Sequence, residues 1–320
     1  MSSLESIDVS PVQEAFAAIR LAMSDVVVGH EEPIRQAFLT LLCSSHTLFE
    51  GPPGVAKTLL VKTLSRSISL DFGRVQFTAD LMPSDITGIP IFHPATAEFQ
   101  FRPGPVFTDL LLADEINRAS AKTQAALLEA MQERSVTIDG KRHALSDYFT
   151  VFATQNPVEH EGTYPLPEAQ LDRFLFKVHV GYPEETAERE LLRSQHGGDP
   201  QLEAIKPVLA RADIAQLREI VSSLIVRDEI IAYVSDLVRA TRADAQYSLG
   251  ASPRAGLQLL RAAKATAAIE GRDFVLPEDV QALWIPALRH RVILDPAAEV
   301  EGLETDSALS RTLASVTVPR

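Results

Sequence analysis

Gly51-Pro52-Pro53-Gly54-Val55-Ala56-Lys57-Thr58 is the segment of this 320-residue chain with the most chemistry in it. Two glycines let the backbone turn so that successive N–H groups face one point, the arrangement that cradles a phosphate. A helix starting at Leu59 would add the partial positive charge of its N-terminus. Lys57 would then reach the β- and γ-phosphates and the Thr58 hydroxyl would ligand Mg²⁺. Ala56 stands where such loops usually have glycine, and its methyl is tolerable there if φ is negative. A second acidic motif follows. Leu110-Leu111-Leu112-Ala113 is an apolar strand that ends in Asp114 and Glu115. A strand buried on both faces places Asp114 at its carboxyl edge, where open α/β sheets bind ligands. Asp114 would hold the Mg²⁺ through water, and Glu115 would act as general base on the attacking water.

These groups need a sheet to hold them together. Ser45–Glu50, Val75–Thr78, Leu110–Ala113, Phe149–Ala153 and Phe174–Val178 read as strands, with helices over Leu59–Ser69 and Ala121–Glu133. Apolar strands alternating with helices predict an α/β domain with a largely parallel five-stranded sheet. Two hairpin-like insertions interrupt it, one over Gly88–Pro105 and one over Val136–Leu145, whose Asp139-Gly140 is a strong turn dipeptide. After Gly181-Tyr182-Pro183 the pattern changes to helices: Glu184–His196, Asp213–Leu224, Arg227–Ala243, Arg254–Glu270 and Pro277–Leu288. The expected organisation is a nucleotide-binding α/β domain over 1–182, then an all-helical second domain with a C-terminal tail over 183–320.

Composition excludes other classes. Thirty Lys and Arg stand against 43 Asp and Glu, a net charge of −13, which opposes extended binding to nucleic acid or anionic membrane. Cys43 is the single cysteine, so neither a disulfide framework nor a cysteine-based zinc site can form, and a reducing compartment, the cytoplasm, is expected. The first residues show no secretory signal, and no apolar run is long enough to span a bilayer. HExxH, GxSxG and GxGxxG patterns are absent, as are internal repeats.

Gly51–Thr58, Leu110–Ala119 and Ala153-Thr154-Gln155-Asn156-Pro157 resemble the MoxR family of AAA+ ATPases. So do Gln76–Asp85, the run Glu161–Phe174 that contains GTYPLPEAQLDRF, and Ser252-Pro253-Arg254-Ala255. The likeness extends from about Val27 to Leu288. It implies an AAA+ sheet domain with a hairpin inserted in its second helix, followed by a lid. It implies that Asn156 is the polar sensor that orients the lytic water. It implies that Arg173 is an arginine finger reaching a neighbouring subunit's nucleotide, and that Arg254 is the lid arginine, acting either in its own site or across the interface. Val27, Val28 and Gly29, which precede the first helix, resemble the segment that lies against adenine. His30 follows as either a contact to the base or a helix cap. Arg118 either faces a neighbour or is solvated. Lys141, Arg142 and His143 sit at a hairpin tip, either touching a substrate or forming a solvated basic turn.

The resemblance implies an ATPase (ATP/ADP, Mg²⁺) that assembles as a homo-oligomer, a hexameric ring. It would remodel or mature protein clients, including by metal or cofactor insertion, with a partner that carries a von Willebrand factor A domain. The alternatives are a magnesium-chelatase-like ATPase subunit and a nucleic-acid-dependent motor, and the acidic balance weighs against the second.

Overall fold

The computed structural model describes residues 6–24, 26–95, 97–157, 163–195, 202 and 205–319. The first half contains α1 (Ser10–Ser24), α2 (Glu31–Leu42), β1 (Thr47–Glu50), α3 (Lys57–Ser67), β2 (Phe72–Gln76) and α4 (Pro83–Thr87). There follow β3 (Gly88–His93), β4 (Glu98–Pro103), β5 (Leu110–Asp114), a single 3-10 turn (Ile116–Arg118), α5 (Ala121–Glu133), β6 (Ser135–Ile138), β7 (Lys141–Ala144) and β8 (Thr150–Gln155). The chain goes on through α6 (Glu168–Leu171), β9 (Phe176–His179), α7 (Glu185–Gln195), α8 (Arg211–Ser223) and α9 (Asp228–Ala243). Last come β10 (Tyr247–Leu249), α10 (Pro253–Ile269), α11 (Pro277–Leu288), β11 (Ile293–Leu294), α12 (Pro296–Val300) and α13 (Thr305–Ser315).

The predicted sheet is present. Five strands run in the order β2-β5-β8-β1-β9, every pair parallel. β5 is buried at all five positions, as an apolar run covered by helices on both faces must be. Because the strands are parallel, their carboxyl ends share one edge: Glu50, Gln76, Asp114, Gln155 and His179. Their amino ends share the other, where Leu175 N–H donates to the His46 carbonyl at 2.7 Å.

Both insertions are antiparallel hairpins, β3 with β4 and β6 with β7. They touch one another through aromatic rings, since His143 lies 4.2 Å from Phe101 between centroids. The tip cluster is therefore not a purely solvated basic turn: Lys141 is exposed, Arg142 Nε donates to Ser135 Oγ at 2.8 Å, and His143 packs on the other hairpin.

Two expectations change. α1 precedes Val27–Gly29, so these residues follow the first helix rather than lead into it. The C-terminal part is helix-rich but also holds a short antiparallel pair, β10 with β11. One apolar cluster runs through both halves, from Ile19 and Phe38 to Leu259 and Trp284, so α1 and α2 pack with α8 and α10 as well as with the sheet. Among the described residues no helix is long and apolar enough to cross a membrane.

Candidate nucleotide site

The phosphate loop leaves β1 at the carboxyl edge and enters α3. At Gly51 a Cβ would meet the Val180 carbonyl oxygen at 2.1 Å, so this glycine is required by close packing against the segment after β9. Gly54 has φ +82° and no atom within 4 Å of where a Cβ would be, which makes the turn left-handed and open on one side. Ala56 caps α3 with φ +61° and ψ 16°, and no side chain caps the helix. The expectation of a negative φ at Ala56 is thus corrected: an L-residue holds the left-handed position that usually takes glycine. The first N–H groups of α3 have no capping side chain and sit beside an open cradle, which suits a polyphosphate.

Lys57 Nζ donates to the Gly51 carbonyl, to that of Pro52 at 3.2 Å and to that of Gln155 at 3.3 Å. It therefore lies across the loop mouth. Burial lowers its pKa, and the charges of Asp114, Glu115 and Glu50 oppose that shift. Thr58 Oγ1 donates to Asp114 Oδ2 at 3.2 Å, so the two predicted metal ligands are adjacent. Among the described residues no three His, Cys, Asp or Glu side chains converge on a metal position. The donor set is that of Mg²⁺, which takes one or two protein oxygens and completes its shell from phosphates and water.

Asp114 is buried, with three side-chain donors. Thr154 Oγ1 donates to Oδ1 at 2.6 Å, and Arg74 donates to Oδ2 at 2.7 Å alongside Thr58. Glu115 occupies the left-handed region at φ +56°, and its N–H donates to Thr154 Oγ1 at 2.9 Å. One threonine hydroxyl thus orients both acids. Gln76 Nε2 donates to Glu115 Oε2 at 2.8 Å, and Arg118 pairs with Glu115 at 3.3 Å. Asn156 is buried and directly follows β8, beside Glu115 at the same edge. Arg74 and Glu50 escape sequence reasoning, and Thr154 stands in a segment that carries the family likeness although its bonds to both acids were not visible there. Glu50 meets Lys177 and His179, each at 2.9 Å, and Gln155. Burial alone would raise its pKa, but these partners outweigh burial and hold it at about 2. Gln76 lies in a segment that carries the family likeness, so its type was visible although its partner was not.

The Val27–Gly29 turn borders the same region. A Cβ at Gly51 would meet Val180 and one at Gly29 would meet Pro183, and Val180 and Pro183 are three residues apart in sequence, at most about 10 Å. Val27 is buried in the apolar core, so only its backbone can meet a base, while Val28 is half-buried. Leu59 packs against the same core from α3. His30 stands at the N-cap of α2, but its side chain makes no cap hydrogen bond.

Arg173 and Arg254 are elsewhere. Together with Ser44, Ser45, His46, Arg134, Gln258 and Arg261 they line a cavity of about 230 Å³. Ser45 and His46 lead into β1 and Gly51 leaves it, so the cavity lies at the amino edge of the sheet, about 20 Å from the phosphate loop at 3.3 Å per residue. Arg173 precedes β9, whose Phe176 pairs with Thr47, which places it at that edge independently. The sequence-predicted residues thus fall into two groups on opposite edges. Arg173 forms no pair with Asp172, because Asp172 pairs with Arg291.

Residues 46–176 match the AAA family of ATPases associated with various cellular activities, and 239–312 match the AAA lid domain. A crystal structure from Cytophaga hutchinsonii superposes with a TM-score of 0.88 at 39% identity, covering 97% of this chain and 98% of that one. The YeaC protein of Bacillus subtilis is 47% identical over 92% of both chains. Chaperone MoxR1 of Mycobacterium tuberculosis is 43% identical over 92% of this chain and 80% of its own length. The chain belongs to the MoxR family of AAA+ ATPases. As a MoxR-family protein it is a chaperone-like AAA+ ATPase and binds nucleotide, and the family's sheet domain and lid are both present. Within the family-specific run, Tyr164 N–H donates to the Asn117 carbonyl at 2.6 Å and its own carbonyl accepts from Gln124 at 2.9 Å. The run thus docks beside the 3-10 turn after Glu115. Glu161 and Gly162 of that run lie outside the described residues.

Proposed function

We propose that this MoxR-family protein hydrolyses Mg²⁺-bound ATP at sites completed between subunits of a hexameric ring. The carrying observation is the separation of the two groups. Lys57, Thr58, Asp114, Glu115 and Asn156 share the carboxyl edge, while Arg173 and Arg254 share a cavity at the amino edge. An arginine side chain reaches roughly 7 Å, well short of the roughly 20 Å that four strand residues and their flanks span. A second copy packed head-to-tail would bring one edge against the other, and such contacts form a ring where the rotation between copies closes. The shared cavity favours action across the interface for Arg254 as well as Arg173.

In this reading the 51–58 loop, with Leu59 behind it, binds the phosphates through backbone N–H groups, and Lys57 adds a mobile cation. Thr58 and Asp114 hold the metal, which when bound neutralises charge on the phosphate oxygens. Glu115 takes the proton from the attacking water and Asn156 orients that water. The neighbour's Arg173 and Arg254 offset charge that develops on the transferred phosphoryl group, a role for which a planar, permanently charged guanidinium is suited. The division at Tyr182, with residues 1–182 as the motor and 183–320 as the lid, belongs to the same proposal.

The work is remodelling or maturation of protein clients in the cytoplasm, such as metal or cofactor insertion, with a von Willebrand factor A partner. The composition supports a protein target, since a surface with 43 acids and 30 bases repels polyanions. The test is affinity capture from native lysate with Glu115→Gln held in ATP, which should bind nucleotide and fail to hydrolyse it. Recovery of proteins with von Willebrand factor A domains supports the proposal. Recovery of nucleic acid alone, or turnover at the unsubstituted rate, contradicts it.

A further inference from the structure

Arg291 lies just beyond α11, in the lid, yet most of its hydrogen bonds go to the strand-entry segment of the sheet domain. Its side chain is 1% exposed. Nε donates to Asp172 Oδ1 at 2.9 Å. One terminal nitrogen donates to the Asp172 carbonyl at 3.2 Å, the Phe174 carbonyl at 2.6 Å and Gln258 Oε1. The other donates to the Leu175 carbonyl at 3.3 Å and, within the lid, to the Ala287 carbonyl at 2.6 Å. The neighbouring His290 Nε2 lies 2.9 Å from the same Phe174 carbonyl.

The pattern of partners is specific. Arg291 grips the residue before Arg173 and the two residues after it. Gln258 follows Arg254 on α10 by four residues, which is one helical turn on the same face. A single guanidinium fork thus joins the backbone that presents Arg173 to the helix that presents Arg254. Its donors leave in fixed directions, so the joint sets orientation as well as distance. A buried guanidinium is costly to desolvate, and a merely apolar joint between lid and sheet would be cheaper to build. Burial lowers its pKa to about 10, with Asp172 opposing the shift, so it stays cationic at neutral pH.

We infer that Arg291 is a positioning residue that holds Arg173 and Arg254 as one unit at the edge offered to the neighbouring subunit's nucleotide. This rests on the reading of Arg173 as a residue donated across the interface. It makes finger presentation depend on lid position, because the clamp is lid-borne and the finger is not.

The test uses the full chain with Arg291→Lys, which keeps charge but not the fork, and Asp172→Asn, which keeps the fork but removes its anionic partner. Both should bind an ATP analogue within about twofold of the unsubstituted protein, because their own phosphate loops are untouched. Turnover should fall about 10- to 100-fold, the effect of a small misplacement of a catalytic group. Mixing either variant with Lys57→Ala should then restore turnover that neither has alone. The Lys57→Ala subunit offers an intact finger to the variant's intact loop, and about a quarter of the interfaces in an equal mixture pair correctly. A purely structural role would lower analogue binding or melting temperature and would not be rescued by mixing. The control pair is Arg173→Ala with Lys57→Ala. If the control recovers and both clamp variants do not, the inference about Arg291 is overturned alone. If the control fails as well, the trans finger fails and the clamp with it. Unchanged turnover in both clamp variants also overturns the inference.

Discussion

Acid should loosen the edge of the molecule that carries the two arginines, through two buried histidines. Val151 N–H donates to His46 Nδ1 at 2.9 Å, while Nε2 faces the Met131 carbonyl at 3.3 Å. Adding a proton at Nδ1 would replace that accepted bond with a clash of donors. Burial, reinforced by the charge of Arg134, pushes the His46 pKa down to about 3. His290 is held well below the usual value by burial and then by the charge of Arg291. In the unfolded chain both titrate near 6.5. Below that pH the unfolded state binds protons that the folded state refuses, so the stabilisation is complete above 6.5 and is lost as pH falls. The slope is about 1.4 kcal/mol per pH unit for a histidine that stays neutral in the folded state, which gives about 2 kcal/mol for His46 by pH 5, and His290 adds in the same direction. His30, whose pKa burial also lowers, adds in the same direction. Glu50 contributes nothing to this window. Its value of about 2 against an ordinary 4.5 makes its loss begin only below 4.5. Against a total of roughly 5–15 kcal/mol, a loss of about 2 kcal/mol or more is a large fraction. Urea denaturation between pH 7.5 and 5 measures it through the midpoint at constant m-value. His46→Gln and His290→Gln should each remove part of the slope and leave the contribution of His30. A stability that is flat from pH 6.5 to 5, or a slope left unchanged by both substitutions, would refute the reasoning.

Two further outcomes concern the site itself. Ala56→Gly should stabilise the chain by up to about 1 kcal/mol, because relief of the left-handed strain, worth about 1–2 kcal/mol, exceeds the added chain entropy of glycine. Urea denaturation checks it, and a loss of stability would contradict the strain. Thr154→Val should cost about 1–3 kcal/mol, because it leaves the Asp114 carboxylate and the Glu115 N–H without their shared hydroxyl. The same substitution should lower kcat more than it raises KM, measured by phosphate release, since Glu115 loses the bond that anchors its backbone.

What the sequence makes legible follows from which forces act locally. β5 and β8 read correctly because a strand buried on both faces is a continuous apolar run. β2 does not, since it lies at the sheet edge and begins Phe72-Gly73-Arg74, so its register escapes an apolar pattern. The phosphate loop is legible as a motif, but the φ of Ala56 is not, because nothing local forces an L-residue into the left-handed region. α5 matches its predicted bounds, with Ser120 accepting from Thr123 N–H as its cap. The two-edge arrangement is a tertiary fact: Arg173 and Arg254 meet only because β9 is parallel to β1 and the lid folds back on it. Arg291 and Asp172 lie 119 residues apart, and nothing in either residue's surroundings names the other.

The central claim is that one subunit supplies the phosphate loop and its neighbour the arginines. The direct measurement is ATP turnover in mixtures of Arg173→Ala and Lys57→Ala, titrated across all ratios at fixed total protein. Each variant alone should be nearly inactive, and activity should rise to a maximum near equal proportions, where correctly paired interfaces are most frequent. Turnover that stays at the sum of the two inactive variants at every ratio would show that the site is complete within one chain and would contradict the account.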